Sequence, residues 1–377
     1  MSLDLSSGFS AAALGYRWPA EWEPHAATLM SWPTNRQTWP GERLERVERV
    51  YIDLLRELSR VEPVLLLVSP ATIRDLRKRL ERILPEESTV FLLPEATNDA
   101  WARDYAPFTI FREAPGEERE LMLIDWEFNA WGGKYPPWSL DNAVPSRLAD
   151  RYRLPIMKPG IILEGGAVES NGAGVLMTTE SVLLNQNRNP ELNREGMEYV
   201  LQRVLGVEQI LWLGDGLKGD DTDGHIDDIA RFVSSDRILA MAPAGPDDVN
   251  RVALQENLSR LNEARTPDGR AYDVVTLPMP KTRIDGTTVD GSIHVPASYA
   301  NFYIANGIVL VPLYDQEPDA EALRVFRTLF PERGVVGIPC ADLVWGQGSI
   351  HCITHPLYGI DRERMERAGG VALFSGK

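Results

Sequence analysis

One thiol, one imidazole and three carboxylates stand in short, glycine-marked stretches of this chain. Together they suit covalent chemistry on a cationic, electrophilic carbon. The thiol is Cys352, in WGQGSIHCITHP (345–356), which reads as a glycine-rich turn running into a short β-branched strand. Three earlier stretches read as built to face it. They are WARDYAPF (101–108) with Asp104, LEGGAVE (163–169) with Glu164, and DTDGHIDD (221–228) with His225 and Asp227. A free thiol titrates near ~8.5 and needs a cationic neighbour or substrate to become the nucleophilic thiolate.

Each residue has a plainer role to be weighed. A lone cysteine is commonly a small buried hydrophobe, and Cys340, in VVGIPCADL, reads that way. Cys352 is set apart by Gly346 and Gly348, which allow close backbone approach, and by the imidazole–carboxylate pair elsewhere in the chain. His351 adjoins the thiol, but neighbouring strand residues face opposite ways, so it reads as structural. His25, His294 and His355 read likewise. His225 and Asp227 are two apart and on a strand would share a face. That placement serves either an oriented acid–base histidine or two metal ligands. A calcium loop fails, because with Gly224 at the required glycine its first and twelfth positions fall on Gly219 and Ala230. Zinc is unsupported without a CxxC or HExxH spacing. Trp101 precedes Asp104 by three residues and offers a flat indole to a planar cation. Trp32, ending a strand expected over 28–32, is counted with it among the substrate-facing aromatics. Glu164 precedes Gly165 and Gly166, a pair that again implies backbone crowding.

This set fits a guanidinium substrate. Two carboxylates each clamp a pair of N–H groups in fork geometry and fix the central carbon against sulfur. Attack displaces ammonia with a proton from His225, which then takes a proton from water to hydrolyse the S-amidino intermediate. Such proton transfer contributes ~10²–10⁴-fold. The scheme calls for no metal and no organic cofactor.

The elements that must position these residues recur. A helix is predicted over 45–60 from Val47, Val50, Tyr51, Leu54, Leu55 and Leu58, then a strand over 64–69, a helix over 72–84 and the run TVFLLP. Four further passes follow as strand, strand, helix, strand. They cover 104–158, 164–213, 225–277 and 299–339. These five ββαβ-like units, with terminal strands that could close a ring, predict a five-bladed pseudo-symmetric α/β propeller around a central site. No composition break divides 1–377, so one domain is expected. Asp104, Glu164 and His225 fall at the start of a unit's first strand, and Asn301 does so in the last. Equivalent positions around a pseudo-axis converge at one end.

A formal charge of −16, from Lys+Arg 39 against Asp+Glu 55, opposes nucleic acid and anionic membrane and suits cations. Two cysteines fit a reducing compartment. The N-terminal MSLDLSSGFSAAALG lacks a basic region, and no apolar run approaches the ~20 residues of a membrane span. A cytoplasmic protein is expected, and a homo-oligomer is compatible with it.

The motifs WARDYAP, FNAWGGKYPPW, EGG, TTESVLLNQNRNP, DDTDGHIDD, SYANFYIANGIVLVPLYD and GSIHCIT resemble the agmatine deiminase and bacterial peptidylarginine deiminase family of guanidine-modifying enzymes. The resemblance runs from about Trp18 onward. It implies a five-bladed α/β propeller, Cys352 as the amidino-forming nucleophile and His225 as general acid and base. It further implies Asp104 and Asp227 as guanidinium clamps, Glu164 as the carboxylate paired with the histidine, Asn301 as an active-site asparagine, and Trp101 stacking on substrate. Where agmatine deiminases commonly read GGGNIHCITQQ, this chain reads GQGSIHCITHP.

The FNAWGGKYPPW loop supplies Lys134 and aromatics but no arginine to hold a peptide or free amino-acid carboxylate. Agmatine, hydrolysed to N-carbamoylputrescine and ammonia, is therefore the expected substrate, with peptidyl-arginine the alternative. An amidinotransferase or a non-catalytic polyamine-binding protein are the further readings. A cysteine protease is disfavoured, since it needs oxyanion donors rather than acids around the electrophile.

Overall fold

A computed structural model of the chain describes residues 10–113, 119–284, 286–314 and 317–374. The first nine residues of the N-terminal stretch read above lie outside them. Among the described residues, no helix is long and apolar enough to cross a membrane.

Among the described residues the strands form five small sheets. Four have three strands and one pairing rule. In each, a first strand pairs antiparallel with a second, and a helix then returns the chain to a third strand parallel to the second. These sheets are Phe108–Arg112, Glu120–Ile124 and Ile156–Met157; Val168–Ser170, Val175–Thr179 and Gln209–Leu213; Ala230–Phe232, Arg237–Ala242 and Asp273–Pro278; and Tyr303–Ala305, Ile308–Leu313 and Gly334–Pro339. The third strand needs a crossover to run parallel, and the amphipathic helices supply it.

The remaining sheet joins the two ends of the chain. Ala27–Ser31, Val64–Val68 and Val90–Pro94 run parallel. They are connected by the helices Arg43–Leu58 and Ile73–Ile83. His355–Leu357 pairs antiparallel with Ala27–Ser31, and Val371–Ala372 pairs antiparallel with Val90–Pro94. His355–Leu357 thus stands to Ala27–Ser31 as the first strand stands to the second in the other sheets. All residues of Ala27–Ser31 and Val64–Val68 are buried, as expected of short apolar runs covered on both faces. The Arg43–Leu58 helix turns Leu44, Val47, Val50, Tyr51, Leu54, Leu55 and Leu58 into the core, one stripe at helical spacing.

The segments before each first strand differ from expectation. Asp104 lies in the helical turn Ala102–Tyr105, Gly165–Ala167 and Ile226–Asp228 are 3₁₀ turns, and Cys352 lies in the helical turn Ile350–Ile353. None of these residues is in a strand. Two local causes are visible. Pro107 biases Ala106 to extended backbone (ψ 153°), so the first turn ends at Tyr105 and the strand begins at Phe108. The Asn301 side chain accepts the N–H of His351 at 3.0 Å, satisfying a donor that a strand would have given to a neighbour.

Candidate active site

The turns bring their side chains to one place. Cys352, Asp104 and Trp101 line a cavity of about 540 Å³ whose mouth is formed partly by the 130–138 loop. Cys352 Sγ lies 3.2 Å from Asn301 Nδ2, which donates to it, and 3.8 Å from Asp227 Oδ2. Two glycines permit the approach. A Cβ on Gly348 would fall 2.4 Å from Trp101 Cζ3 and 3.1 Å from Cys352 Sγ, so only hydrogen fits between indole and thiol. A Cβ on Gly166 would meet His225 Nδ1 at 2.5 Å, Asp104 Oδ1 at 2.9 Å and Asp227 Oδ2 at 3.0 Å. Imidazole and both aspartates therefore crowd around a single backbone carbon.

Asp104 is fixed at both oxygens. Oδ1 accepts from Gly166 N at 2.9 Å and Oδ2 from Trp131 Nε1 at 3.0 Å. Trp131 reaches it from a backbone twist in which Ala130 and Trp131 both hold left-handed φ (53° and 56°), a conformation non-glycine residues rarely adopt. Burial, with Glu164 adding to it, pushes the Asp104 carboxyl up to about 7. Burial and the nearby Asp104 hold Asp227 well above the usual carboxylate range. Asp227 Oδ1 has no hydrogen-bond partner among the described residues.

His225 is 1% exposed, and neither ring nitrogen has a hydrogen-bond partner among the described residues. Its Nδ1 stands 3.8 Å from Asp104 Oδ1 and 4.0 Å from Asp227 Oδ1. Burial, then the Arg188 guanidinium, hold it well below its ordinary value, so it is a neutral base. The expected pairing with Glu164 is replaced by another. Glu164 Oε1 accepts from Arg188 Nε at 2.6 Å, and its second oxygen is unpartnered among the described residues. Arg188 is buried, and a guanidinium there takes the nearest carboxylate. Burial, then Asp227, Asp228 and Asp104, push the Cys352 thiol far up, so it stands protonated among these acids.

Trp101 lies where a flat ligand can stack, backed by Trp39 at 5.3 Å between ring centroids. Trp32 does not line the cavity. It packs edge-on against Tyr51 at 5.8 Å and under the Arg79 guanidinium, as part of the first sheet's helix interface. Cys340 is fully buried in the core, and burial pushes it up to about 12.

Among the described residues two cations line the outer cavity, each ion-paired, Arg36 at an exposed position. Lys134 Nζ is paired with Asp223 Oδ1 at 2.7 Å, and Arg36 with Glu45 at 3.0 Å. Asp221, bonded to the Tyr135 hydroxyl, is pushed up to about 8 by burial first. Gln347 stands at φ 79°, held by Nε2 contacts of 3.0 Å to both Thr288 Oγ1 and Asp290 Oδ1.

A family model for Porphyromonas-type peptidyl-arginine deiminase matches residues 17–357. The chain belongs to that family. Its relatives include the agmatine deiminase of Pseudomonas syringae pv. tomato, 36% identical over 360 residues, which span 90% of this chain and 95% of that one. The agmatine deiminase of Stutzerimonas stutzeri is 35% identical over 362 residues, at 90% and 95% coverage. Among solved structures, an agmatine deiminase of Enterococcus faecalis superposes with a TM-score of 0.84 at 31% identity, covering 95% of this chain and 99% of that one. A substrate-bound, serine-for-cysteine agmatine deiminase of C. jejuni gives 0.81 at 28% identity, covering 92% and 97%. The family acts on a guanidino C–N bond.

Several residues around the site escaped sequence reasoning. Glu21, Arg103, Arg188, Arg231 and Asp228 are charged and buried, but nothing in their spacing announces the partners they find. Trp131 was within a motif singled out above. Its role depends on a left-handed backbone that no composition rule reveals.

Proposed function

We propose that the chain hydrolyses agmatine to N-carbamoylputrescine and ammonia through an S-amidino adduct on Cys352. The observation that carries this reading is one cluster: the Cys352 thiol and Asp104 line the cavity, and an unpartnered neutral imidazole and Asp227 crowd with Asp104 around Gly166, Asp227 standing 3.8 Å from the sulfur. The five sheets are read as the blades of a single α/β propeller, each delivering one pre-strand turn to the centre. The protein works in the cytoplasm.

A guanidinium entering the cavity stacks on Trp101 and gives its N–H groups to Asp104 and Asp227. Its charge offsets the acids that hold the thiol up, so thiolate forms only when substrate is present. Sulfur bonds to the central carbon, and the thiol proton travels by way of His225 to the departing nitrogen, which leaves as ammonia. Water then attacks the amidino carbon, His225 takes its proton, and the C–S bond breaks to release the ureido product and the thiol. Asn301 Nδ2 stabilises the thiolate throughout. Glu164 holds Arg188 against the imidazole, keeping it neutral between steps.

Agmatine is favoured over peptidyl-arginine because a carboxylate or amide tail needs free donors, and Lys134 and Arg36 are both engaged. Ammonia release from agmatine, arginine and internal and C-terminal peptidyl-arginine tests this, with Cys352→Ala as control. Mass spectrometry of quenched enzyme should show an amidino adduct on Cys352. Preference for a peptide substrate, or normal turnover by Cys352→Ala, overturns the reading.

A further inference from the structure

His351 lies between two carboxyl groups. Its Nδ1 stands 2.7 Å from Asp227 Oδ2 and its Nε2 2.9 Å from Glu21 Oε2. All three side chains are buried. Two such contacts from one imidazole require two protons, one on each line. The Glu21 side is settled by its other partners. Oε2 also accepts from Arg103 Nη2 at 2.7 Å, and Oε1 accepts from Arg231 Nη2 and Ile304 N, both at 2.9 Å. An oxygen pair so surrounded by donors is an anion, and despite burial Arg231, His351 and Arg103 hold Glu21 well below the carboxylate range. The proton on that line therefore belongs to His351 Nε2.

The second proton has two homes, Asp227 Oδ2 and His351 Nδ1. Burial raises the Asp227 carboxyl and lowers the His351 imidazole, so with no cation against Asp227 the proton rests on the aspartate. A guanidinium against Asp227 reverses the balance, because it favours the anionic carboxylate. The unpartnered Asp227 Oδ1 is the oxygen left for it.

We infer that His351 is a positioning residue that stores the Asp227 proton while the guanidinium is bound, so that the clamp becomes anionic without exchanging a proton with solvent. The assignment rests on the proposed function. In the step, the Asp227 O–H bond breaks and a His351 N–H bond forms across 2.7 Å. Nothing else is made or broken, and the resulting imidazolium is held between Asp227 and Glu21. Arg103, which also donates from Nε to the His351 carbonyl at 3.2 Å, and Arg231 complete the charged surroundings.

The test uses Cys352→Ala, which binds without turnover, and agmatine as probe. In histidine ¹⁵N spectra one imidazole should change from neutral to imidazolium on agmatine binding, and that signal should be missing from Cys352→Ala/His351→Gln. A glutamine amide spans the same two carboxyls but cannot take up a proton. Calorimetry in buffers of different ionisation enthalpy should then show the double variant releasing about one more proton per agmatine than Cys352→Ala, with affinity rising up to about tenfold per pH unit. Agmatine binding with His351 neutral throughout, or equal proton release from the two variants, overturns the inference alone. If Cys352→Ala binds no agmatine, the substrate reading falls and takes this assignment with it. Should the double variant fail to fold, the spectra of Cys352→Ala decide.

Discussion

The Asn301 amide meets Cys352 with both ends. Nδ2 donates to Sγ at 3.2 Å, while Oδ1 accepts the backbone N–H of His351 at 3.0 Å and of Cys352 at 3.4 Å. One side chain therefore caps the turn that carries Cys352 and supplies a donor to its sulfur. Nδ2 also reaches Asp228 Oδ1 at 3.0 Å, which orients the amide.

Asn301→Asp separates the two duties. The acceptor for the turn survives, the donor is lost, and a carboxylate appears beside Asp228 and the thiol. A hydrogen bond to a charged group is worth ~1.5–3 kcal/mol, so kcat should fall roughly ten- to hundredfold. Alkylation of Cys352 by iodoacetamide should shift to higher pH. An unchanged alkylation profile would show that the amide does not support the thiolate.

Asp104 sets an acid limb. Burial pushes its carboxyl up to about 7 in the folded protein, and only the anion grips a guanidinium. Below that value the protonated acid dominates, so kcat/KM for agmatine should rise as pH increases through about 7. Asp104→Asn should remove the limb and raise KM more than it lowers kcat. A limb that persists in Asp104→Asn belongs to a different group.

Gly166→Ala is expected to abolish turnover while sparing the fold. Its methyl would lie 2.5 Å from His225 Nδ1. Overpacking of this kind costs ~1–3 kcal/mol, a modest drop in melting temperature, whereas the imidazole and both aspartates must move. Full activity in the folded variant would mean that their present arrangement is not the working one.

Much of the framework was legible from short-range pattern. The four three-stranded sheets end within a residue of the ends of the four predicted passes and begin four or five residues after their starts, and the Arg43–Leu58 helix differs by two residues at each end from the expected 45–60. The turns holding Asp104 and Cys352 read as strand in the sequence, because four residues, all of them buried, carry too little periodicity to separate the two. What decided them was a proline and a side-chain cap from fifty residues away. The Glu164 pairing failed for a related reason. Arg188 and Glu164 meet through a loop whose path depends on Thr222 O and Asp223, which also hold the guanidinium. His351 read as structural on the premise of a strand. In a helical turn it points to Asp227 and Glu21 instead.

The strand His355–Leu357 follows the Cys352 turn directly and pairs along the edge of the earliest-made sheet. On the ribosome, Ala27–Ser31 must wait with that edge unpaired until His355–Leu357 has been synthesised. Pairing of that edge then comes late, so a chain truncated before His355 would keep an unpaired strand edge open to other chains.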